Sequence, residues 1–524
     1  MVIFASSLGT VFEWYDFYIY GTLGVFLAKY FFSNVPPNVG FIFALLAFAA
    51  GFAVRPFGAL IFGRIGDMIG RKYTFLVTMS LMGVGTFFIG VLPGYDSWGI
   101  MAPIVLIGLR LIQGLALGGE YGGAVIYVAE HAPKNKRGFY TSWIQTTATM
   151  GLFMALLLIL GIRTAMGEQT FGDWGWRIPF LLSGILLAIS IWIRLKLNES
   201  PLFRKMLEEG KTSKRPLSEA FGQWSNLKIA ILALFGATAG EAVVWYGGQF
   251  YALFFLTQTL KVNAVDANIM VAIALLIGTP CFILFGWLSD KIGRKPIMMA
   301  GFALAAITYF PIFQAITHFA NPKLEKALAA SPVVVTADPA ECSFQFKATG
   351  TEKFTTGCDN IKASLVTASV NYSNVEAPKG TKASVKIGDQ TIASDTPNLA
   401  AAIASAVRAH GYPAAADPND INKPMTIVLL TILVVYVTMV YGPIAAWLVE
   451  MFPTRIRYTG LSLPYHIGNG WFGGFLPATV FAIVAATGNI YSGLWYPIIV
   501  ACMSFVVALI FLPETKDRDI SRID

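Results

Sequence analysis

Ionisable residues inside otherwise apolar stretches are the part of this sequence that could do chemistry. Glu13 and Asp16 stand three apart in the run from Ser6 to Phe32, so they share a helical face. Arg110 lies ten residues into the run from Ile100 to Ala129, about 15 Å deep at 1.5 Å per residue, near the level of Asp16. An aspartate and an arginine at one depth neutralise each other, and protonating Asp16 would free Arg110 for an anion. That pairing is a proton-coupling device in two residues. The alternative is a static buried ion pair that holds helices in register. Coupling is favoured, because a charge held in a membrane is costly and carboxylates near mid-depth mark proton paths.

Other candidates surround this pair. Arg55, followed by Pro56, either clamps a carboxylate in a fork that lysine cannot mimic or snorkels to the membrane surface. Glu241, Trp245, Tyr246 and Gln249 recur at three- to four-residue spacing, a mixed polar and aromatic wall suited to a small polar ligand. His466 and Asn469 are three apart; the histidine either relays protons or bonds a backbone carbonyl. Glu120, in GGEYGG, reads as a gate or packing contact at a helix end, and Gly114 and Gly118 allow close helix approach below Arg110.

These residues require membrane helices to hold them. The chain is 56% hydrophobic and 13% charged, with mean hydropathy +0.62, which excludes an ordinary soluble domain. Runs long enough to span, roughly 20 residues each, are Ser6 to Phe32, Gly40 to Phe62, Tyr73 to Val91, Ile100 to Ala129, Phe139 to Ile162 and Trp174 to Leu195. Ile229 to Leu256, Ala267 to Leu288, Pro296 to Phe319, Met425 to Val449, Gly460 to Ala486 and Leu494 to Leu512 follow, making twelve, six per half.

The halves echo each other. GRIGDMIGRK at 63 to 72 returns as GWLSDKIGRK at 286 to 295, identical at six positions and 223 residues apart. Glu130, Pro133 and Arg137 return as Glu450, Pro453 and Arg457, but 320 residues apart. The difference, 97 residues, predicts an insertion between Lys295 and Glu450. It is visible from Asn321 to Lys423, where the composition turns to Ala, Ser, Thr, Pro, Lys and Asp. Strands are expected at Ser343 to Phe346 and Lys382 to Ile387, and a short helix at Asn398 to His410, a small α+β appendage in all. Cys342 and Cys358 lie in it, and on an oxidising outer face they form a disulfide or remain two thiols.

Orientation follows from Lys and Arg. With the amino terminus inside, inner loops and tail hold twenty-one of them, Arg194 included, and the short outer loops three, so both termini are placed in the cytoplasm. The net charge of +8 then reads as topology, with no concentrated basic patch for nucleic acid. The first run carries Glu13 and Asp16, unlike a cleavable signal peptide. Nucleotide-binding glycine motifs, Cys-x-x-Cys pairs and clustered histidines are absent, so no enzyme activity, cofactor or metal is expected.

The Gly-x3-Asp-x2-Gly-Arg-Lys pattern at both half boundaries resembles the signature loop of the major facilitator superfamily. Glu13-Trp14-Tyr15-Asp16-Phe17, Arg55-Pro56, Arg110-x2-Gln113-Gly114-x3-Gly118-Gly119-Glu120 and Pro453-Thr454-Arg455-x-Arg457-x2-Gly460 are similar to its metabolite:H+ symporter family. The resemblance covers all but the insertion. It implies an all-α membrane protein with twelve helices in two pseudo-symmetric six-helix bundles, alternating access around a central cavity, and uptake of small metabolites with protons across a bacterial inner membrane. It implies also that Asp67, Gly70 and Arg71 brace an inner gate with Glu130, as do Asp290, Gly293 and Arg294 with Glu450. Asp67 at the start of the third helix would meet exposed amides, and Gly70 would permit the tight turn. Met68 replaces the usual basic residue of the first loop, whereas Lys291 keeps it in the second. Glu241 stands where relatives tend to carry a neutral amide.

The expected organisation is a first bundle over 1–197, a cytoplasmic linker over 198–226, the second bundle over 227–320 and 425–515, a periplasmic insertion over 321–424 and a tail over 516–524. The expected function is monomeric, proton-coupled symport of a small organic acid within the lipid bilayer, such as a dicarboxylate, oxo-acid or shikimate-like compound. Asp16, Glu13 and Arg110 would couple the proton, and Arg55 and Arg110 would hold the anion. A zwitterionic osmolyte, betaine or proline, whose cationic group would lie on Trp245 or Tyr246, is the rival substrate. A sensor on a transporter body, with the appendage receiving the signal, is the rival class.

Overall fold

The computed structural model describes residues 2–34, 37–196, 198–330, 332–343 and 355–520. Backbone polar groups have no water to bond in a hydrocarbon core, so apolar runs of this length close their hydrogen bonds within helices. The long helices are α1 (Val2–Thr22), α2 (Pro37–Met68), α3 (Arg71–Val91), α4 (Met101–His131), α5 (Arg137–Met166), α6 (Gly175–Leu195), α7 (Trp224–Thr259), α8 (Ala264–Ile292), α9 (Arg294–Ala320), α10 (Lys423–Met451), α11 (Thr454–Thr487) and α12 (Ser492–Phe511). Ten helical stretches among the described residues, α3 through α12, are long and apolar enough to cross a membrane. The expected first run is broken at Leu23, and the chain resumes as a short helix, Gly24–Phe31.

Two seams join the halves: α2 packs on α11, and α5 on α8. Within the first half α2 lies directly against α4, because Gly118 carries no side chain; a Cβ there would sit 2.1 Å from the Arg55 carbonyl oxygen. Helices α7 and α11, which carry the polar wall, are not regular. Wide π-helical turns interrupt α7 at Leu234–Thr238, Gly247–Tyr251 and Phe255–Thr259, and α11 at Gly468–Gly473. Such turns shift the face that later side chains present, and they recur at functional positions.

Because α9 starts at the second decapeptide, its far end delivers the segment up to α10 to the opposite face. This segment opens with a helix, Pro322–Ala330, and holds β1 (Val333–Ala337), β2 (Ser373–Glu376), β3 (Ser384–Ile387) and β4 (Gln390–Ala393), with helices Gly357–Thr367 and Leu399–Ala409. The sheet order is β2-β1-β3-β4. Strand β1 runs parallel to β2, Val335 facing Asn374, and antiparallel to β3, Val335 facing Val385. A two-residue turn at Gly388 (φ 59°) and Asp389 joins β3 to β4. Val333, Val335, Val385, Ile387, Ile392, Ile361 and Ile403 are buried, so the appendage has its own core.

The expected strand and helix at its carboxyl end are observed as Ser384–Ile387 and Leu399–Ala409. The expected strand at Ser343 to Phe346 lies outside the described residues except for Ser343, whose amide donates to Asp359 at 2.8 Å. Cys342 and Cys358 are joined by a disulfide across a separation of 16 residues. A loop of that length removes about 3 kcal/mol of denatured-state freedom. Cys358→Ser is therefore expected to speed proteolysis of the appendage while leaving the membrane helices resistant, read by limited digestion and gel; equal digestion of both proteins would remove the disulfide from this account.

The appendage is moored to the second half. Tyr372 N–H donates to Gly488 at 2.6 Å, Asn371 accepts from Ile490 N–H at 2.8 Å, Ala416 N–H donates to Lys261 at 3.0 Å and Ser369 donates to Gln258 at 3.4 Å. It thus ties the ends of α7 and α11, the two helices with π-turns, on the face away from the decapeptides.

Candidate functional site

The decapeptides build reciprocal caps between the halves. Asp67 lies in the last turn of α2 and accepts the amides of Tyr458 (3.2 Å) and Thr459 (2.8 Å) near the start of α11. Asp290, on α8, accepts the amides of Gly138 and Phe139 on α5, both at 2.8 Å. Each half thus caps a helix of the other, where free amides and the helix dipole favour an anion. This corrects the expectation that Asp67 serves the start of the third helix. Glu199 serves it instead, taking the Lys72 amide at 3.1 Å, and Glu514 takes the Arg294 amide at 3.0 Å in the second half.

Arginines lock these caps. Arg71 lies 3.3 Å from Asp67 and 3.9 Å from Glu130, and donates to the Thr454 carbonyl at 2.9 Å. Arg457 pairs with Glu130 at 2.8 Å. In the second copy Arg294 meets Asp290 at 2.7 Å and Glu450 at 3.0 Å, while Arg137 reaches Glu450 across the seam at 3.3 Å. Gly70 (φ 138°) and Gly293 (φ 114°) make the turns in conformations that a Cβ disfavours. All the residues expected at an inner gate therefore lie in these two clusters.

Asp16 and Arg110 are both buried and sit at the two ends of one row of buried polar groups. Ser183 donates to Asp16, and Thr86 lies beside the same carboxylate. Gln113 donates to Thr86 at 2.7 Å and accepts from Arg110 at 2.6 Å, while the Arg110 guanidinium lies 4.0 Å from the centre of the Tyr20 ring. The structure thus links the two through Thr86 and Gln113, which composition and spacing did not point to. Thr86 donates its hydroxyl hydrogen to the Met82 carbonyl at 2.9 Å and has Asp16 beside it as a second acceptor within its surroundings.

A cavity of about 40 Å³ lies between the halves, lined by Glu13, Arg55, Glu120, Trp245, His466 and Asn469 among others. That holds little more than one water molecule, far below the several hundred Å³ of a metabolite site. Trp14 on α1 and Trp245 on α7 meet across it with ring centres 6.1 Å apart. Tyr121 stacks on Tyr465 at 3.6 Å, and the hydroxyls of Tyr465 and Tyr441 are 3.0 Å apart. Helices α1, α4, α7, α10 and α11 all contribute to this wall. Nothing in the sequence pairs these aromatics, because their helices are distant along the chain.

Arg55 is buried under the rings of Phe52 (4.3 Å) and Phe17 (5.1 Å), which decides against snorkelling. Glu241 accepts from Asn469 at 2.9 Å and has one oxygen without a protein partner; neither His466 ring nitrogen has one. Trp245, Tyr246, His466 and Asn469 line the cavity, whereas Asp16, Arg110, Glu241 and Gln249 do not.

Arg194 corrects the count of basic loop residues. It is buried in the last turn of α6, 3.8 Å from Glu13 and with its guanidinium 3.2 Å from the centre of the Phe75 ring. Gly9 leaves it room, since a Cβ there would overlap the guanidinium. Removing one partner of a buried pair strands the other charge at a cost of about 3–5 kcal/mol. Arg194→Ala is expected to lower the melting temperature of the purified protein strongly, with Glu13→Gln in the same chain restoring much of it. A melting point equal to the parent's would show the pair to be idle.

The model of the sugar (and other) transporter family matches residues 1–229 and 399–524. The proline/betaine transporter of Escherichia coli strain K12 is 35% identical over 319 residues, 59% of this chain and 63% of that protein; the chain spans under two thirds of that relative's length. The shikimate transporter of the same strain is 36% identical over 320 residues, 59% of this chain and 71% of that protein. Among solved structures, the proton:xylose symporter XylE of the major facilitator superfamily, bound to 6-bromo-6-deoxy-D-glucose, superposes with TM-score 0.64 at 15% identity. That likeness covers 100% of this chain and 97% of the other, and it is one of fold.

Proposed function

The chain belongs to the sugar (and other) transporter family of the major facilitator superfamily, and from that premise we propose that it is a proton-coupled symporter of a small organic acid. The observation that carries this reading is the buried row of polar groups in which Arg110 is hydrogen-bonded to Gln113 and Gln113 to Thr86, with Asp16 beside Thr86 and held by Ser183. As a carboxylate, Asp16 accepts from Ser183 and attracts the Thr86 hydroxyl beside it, away from the Met82 carbonyl on which it rests in the structure. A proton on Asp16 ends that attraction, Thr86 stays on Met82, and Gln113 loosens its hold on Arg110. The guanidinium then favours an anion, so proton and carboxylate load together.

We read α1 and α2 as two further spans, which with the ten above makes twelve in two six-helix bundles. The segment between α9 and α10 is an inserted α+β domain on the outer face of a bacterial inner membrane, and the decapeptides and termini face the cytoplasm. The reciprocal caps are the cytoplasmic gate, and substrate leaves inward only after both part. Arg55 is the second anion contact, beside Trp245, Tyr246 and His466. Glu13, paired with Arg194, and Glu120 are buried carboxylates next to the path and are the reserve proton sites.

A second reading is favoured by the aromatic lining: Trp14, Trp245 and Tyr465 beside Glu13 and Glu120 could hold the cationic end of a betaine or of proline. Competition separates the two. Purified protein is screened by thermal shift with dicarboxylates, oxo-acids, shikimate, betaine and proline, since a true ligand stabilises by mass action. Organic acids lacking an ammonium are expected to raise the melting temperature and to compete for uptake; a shift with betaine and proline alone would overturn the organic-acid reading.

A further inference from the structure

We propose that the appendage carries a second binding site, outside the membrane helices, for a small hydroxylated carboxylate anion. A cavity of about 510 Å³ opens between helix Gly357–Thr367, helix Leu399–Ala409, the segment around Tyr412 and Lys261 in the α7–α8 connection. Small-molecule sites measure about 300–1,000 Å³, so this space suits a metabolite where the central cavity, at about 40 Å³, does not.

Its walls divide by chemistry. Lys261 and Arg408 bring two cations to it. The neighbouring acids are engaged elsewhere: Asp389 with His410 at 3.6 Å, Asp395 with Lys382 at 2.6 Å, Asp417 and Asp420 with Lys323 at 2.9 and 3.0 Å, and Asp266 with Lys423 at 2.7 Å. Among the described residues neither Lys261 nor Arg408 has an acidic partner, which leaves both for an anion. Asn360, Ser364 and Thr367 share one helix face; Ser364 and Thr367 donate back to their own helix, at 2.8 Å each, and so offer oxygen lone pairs to ligand hydroxyls. The opposing wall of Leu399, Ala404 and Val407 suits a hydrocarbon ring or short chain.

Lys261 is also held in a conformation that it would not choose. Its φ is 57°, a left-handed value disfavoured for a residue with a Cβ, and the structure fixes it there by the Ala416 amide on its carbonyl and by Asn321 on the carbonyl of Leu260 (2.8 Å). Partial burial draws its ammonium below the usual lysine range, a cost that a bound carboxylate relieves. Strain at a cation that lines a cavity and lies two residues past α7 ties this site to the helix carrying Glu241, Trp245 and Tyr246.

Calorimetric titration of the full chain in detergent at low salt tests the proposal, with shikimate as the hydroxylated probe, benzoate as the carboxylate without hydroxyls and glycine betaine as the zwitterion. Shikimate is expected to show a binding event that weakens at least about tenfold in the Lys261→Ala, Arg408→Ala double variant, where two charge-assisted contacts are lost. Ala404→Trp, which fills the cavity and keeps both charges, should weaken it likewise, while Arg55→Ala in the central site leaves it in place. Melting temperature and the Cys342–Cys358 bond are checked in each variant, so loss of folding is told apart from loss of the site. Shikimate binding unchanged in the double variant and in Ala404→Trp would overturn the proposal. So would a wild-type protein whose every binding event vanishes in Arg55→Ala, or one that binds none of the three probes. A protein that transports but lacks this event refutes the outer site alone; one that binds here but does not transport refutes the symport reading alone.

Discussion

Asp16→Asn is expected to lower proton-driven uptake by about a hundredfold or more, the scale on which a lost proton-transfer group is felt, while solute exchange without a gradient persists. The amide keeps the size of the side chain and still accepts from Ser183. It cannot gain or lose a proton, so Thr86 and Gln113 stay in one arrangement and Arg110 is never released in step with the gradient. Counterflow in proteoliposomes, with the same solute on both sides and no pH difference, is the companion measurement. Loss of both activities would assign Asp16 to substrate binding or to folding, and retention of gradient-driven uptake would remove it from the coupling. Asn at 16 differs in this from Gln113→Ala, which breaks the link to Arg110 but leaves the titrating group, and which should weaken substrate affinity more than coupling.

The second large effect is at the reciprocal caps. Asp67→Ala and Asp290→Ala each remove two carboxylate-to-amide hydrogen bonds across a seam. Bonds to charged groups contribute about 1.5–3 kcal/mol each, and about 5.5 kcal/mol moves an equilibrium from one part in a hundred to ninety-nine. Each single variant is therefore expected to shift a large share of molecules to a form open at the decapeptide face, and the double variant nearly all. Spin labels at Lys134 and Lys291, exposed positions on the two sides of the α5–α8 seam, should report a longer distance population that grows from single to double. An unchanged distance distribution in the double variant would show that the ion pairs of Arg137, Arg294 and Glu450 hold this face by themselves.

Much of this architecture is legible in the sequence because its cause is local. Apolar runs set the helices, and the two offsets between echoed motifs point to extra residues in the stretch between Ala320 and Lys423, which holds the four strands. The charged residues of the two decapeptide clusters are legible as a set, but not their partners. Asp67 bonds an amide 391 residues away, and no local rule links those positions. The sequence carries one further signal: Glu199-Ser200 and Glu514-Thr515 echo each other, and in the structure Ser200 donates to Glu130 as Thr515 does to Glu450, the latter at 2.7 Å. Arg194 read as a loop charge because it ends an apolar run, and only packing shows that it turns inward to Glu13. The π-turns of α7 and α11 have no composition signature, so the face that carries Glu241 and Trp245 could be predicted but not its outlook on the cavity.

The central claim, that a proton travels with the solute, is tested most directly in proteoliposomes carrying a pH-sensitive dye inside and no imposed gradient. A candidate organic acid added outside is expected to acidify the lumen as it enters, in fixed proportion to radiolabelled uptake, and in Asp16→Asn vesicles the acidification should vanish. Uptake by the parent protein without lumenal acidification, at a rate indifferent to an imposed pH difference, would contradict the account.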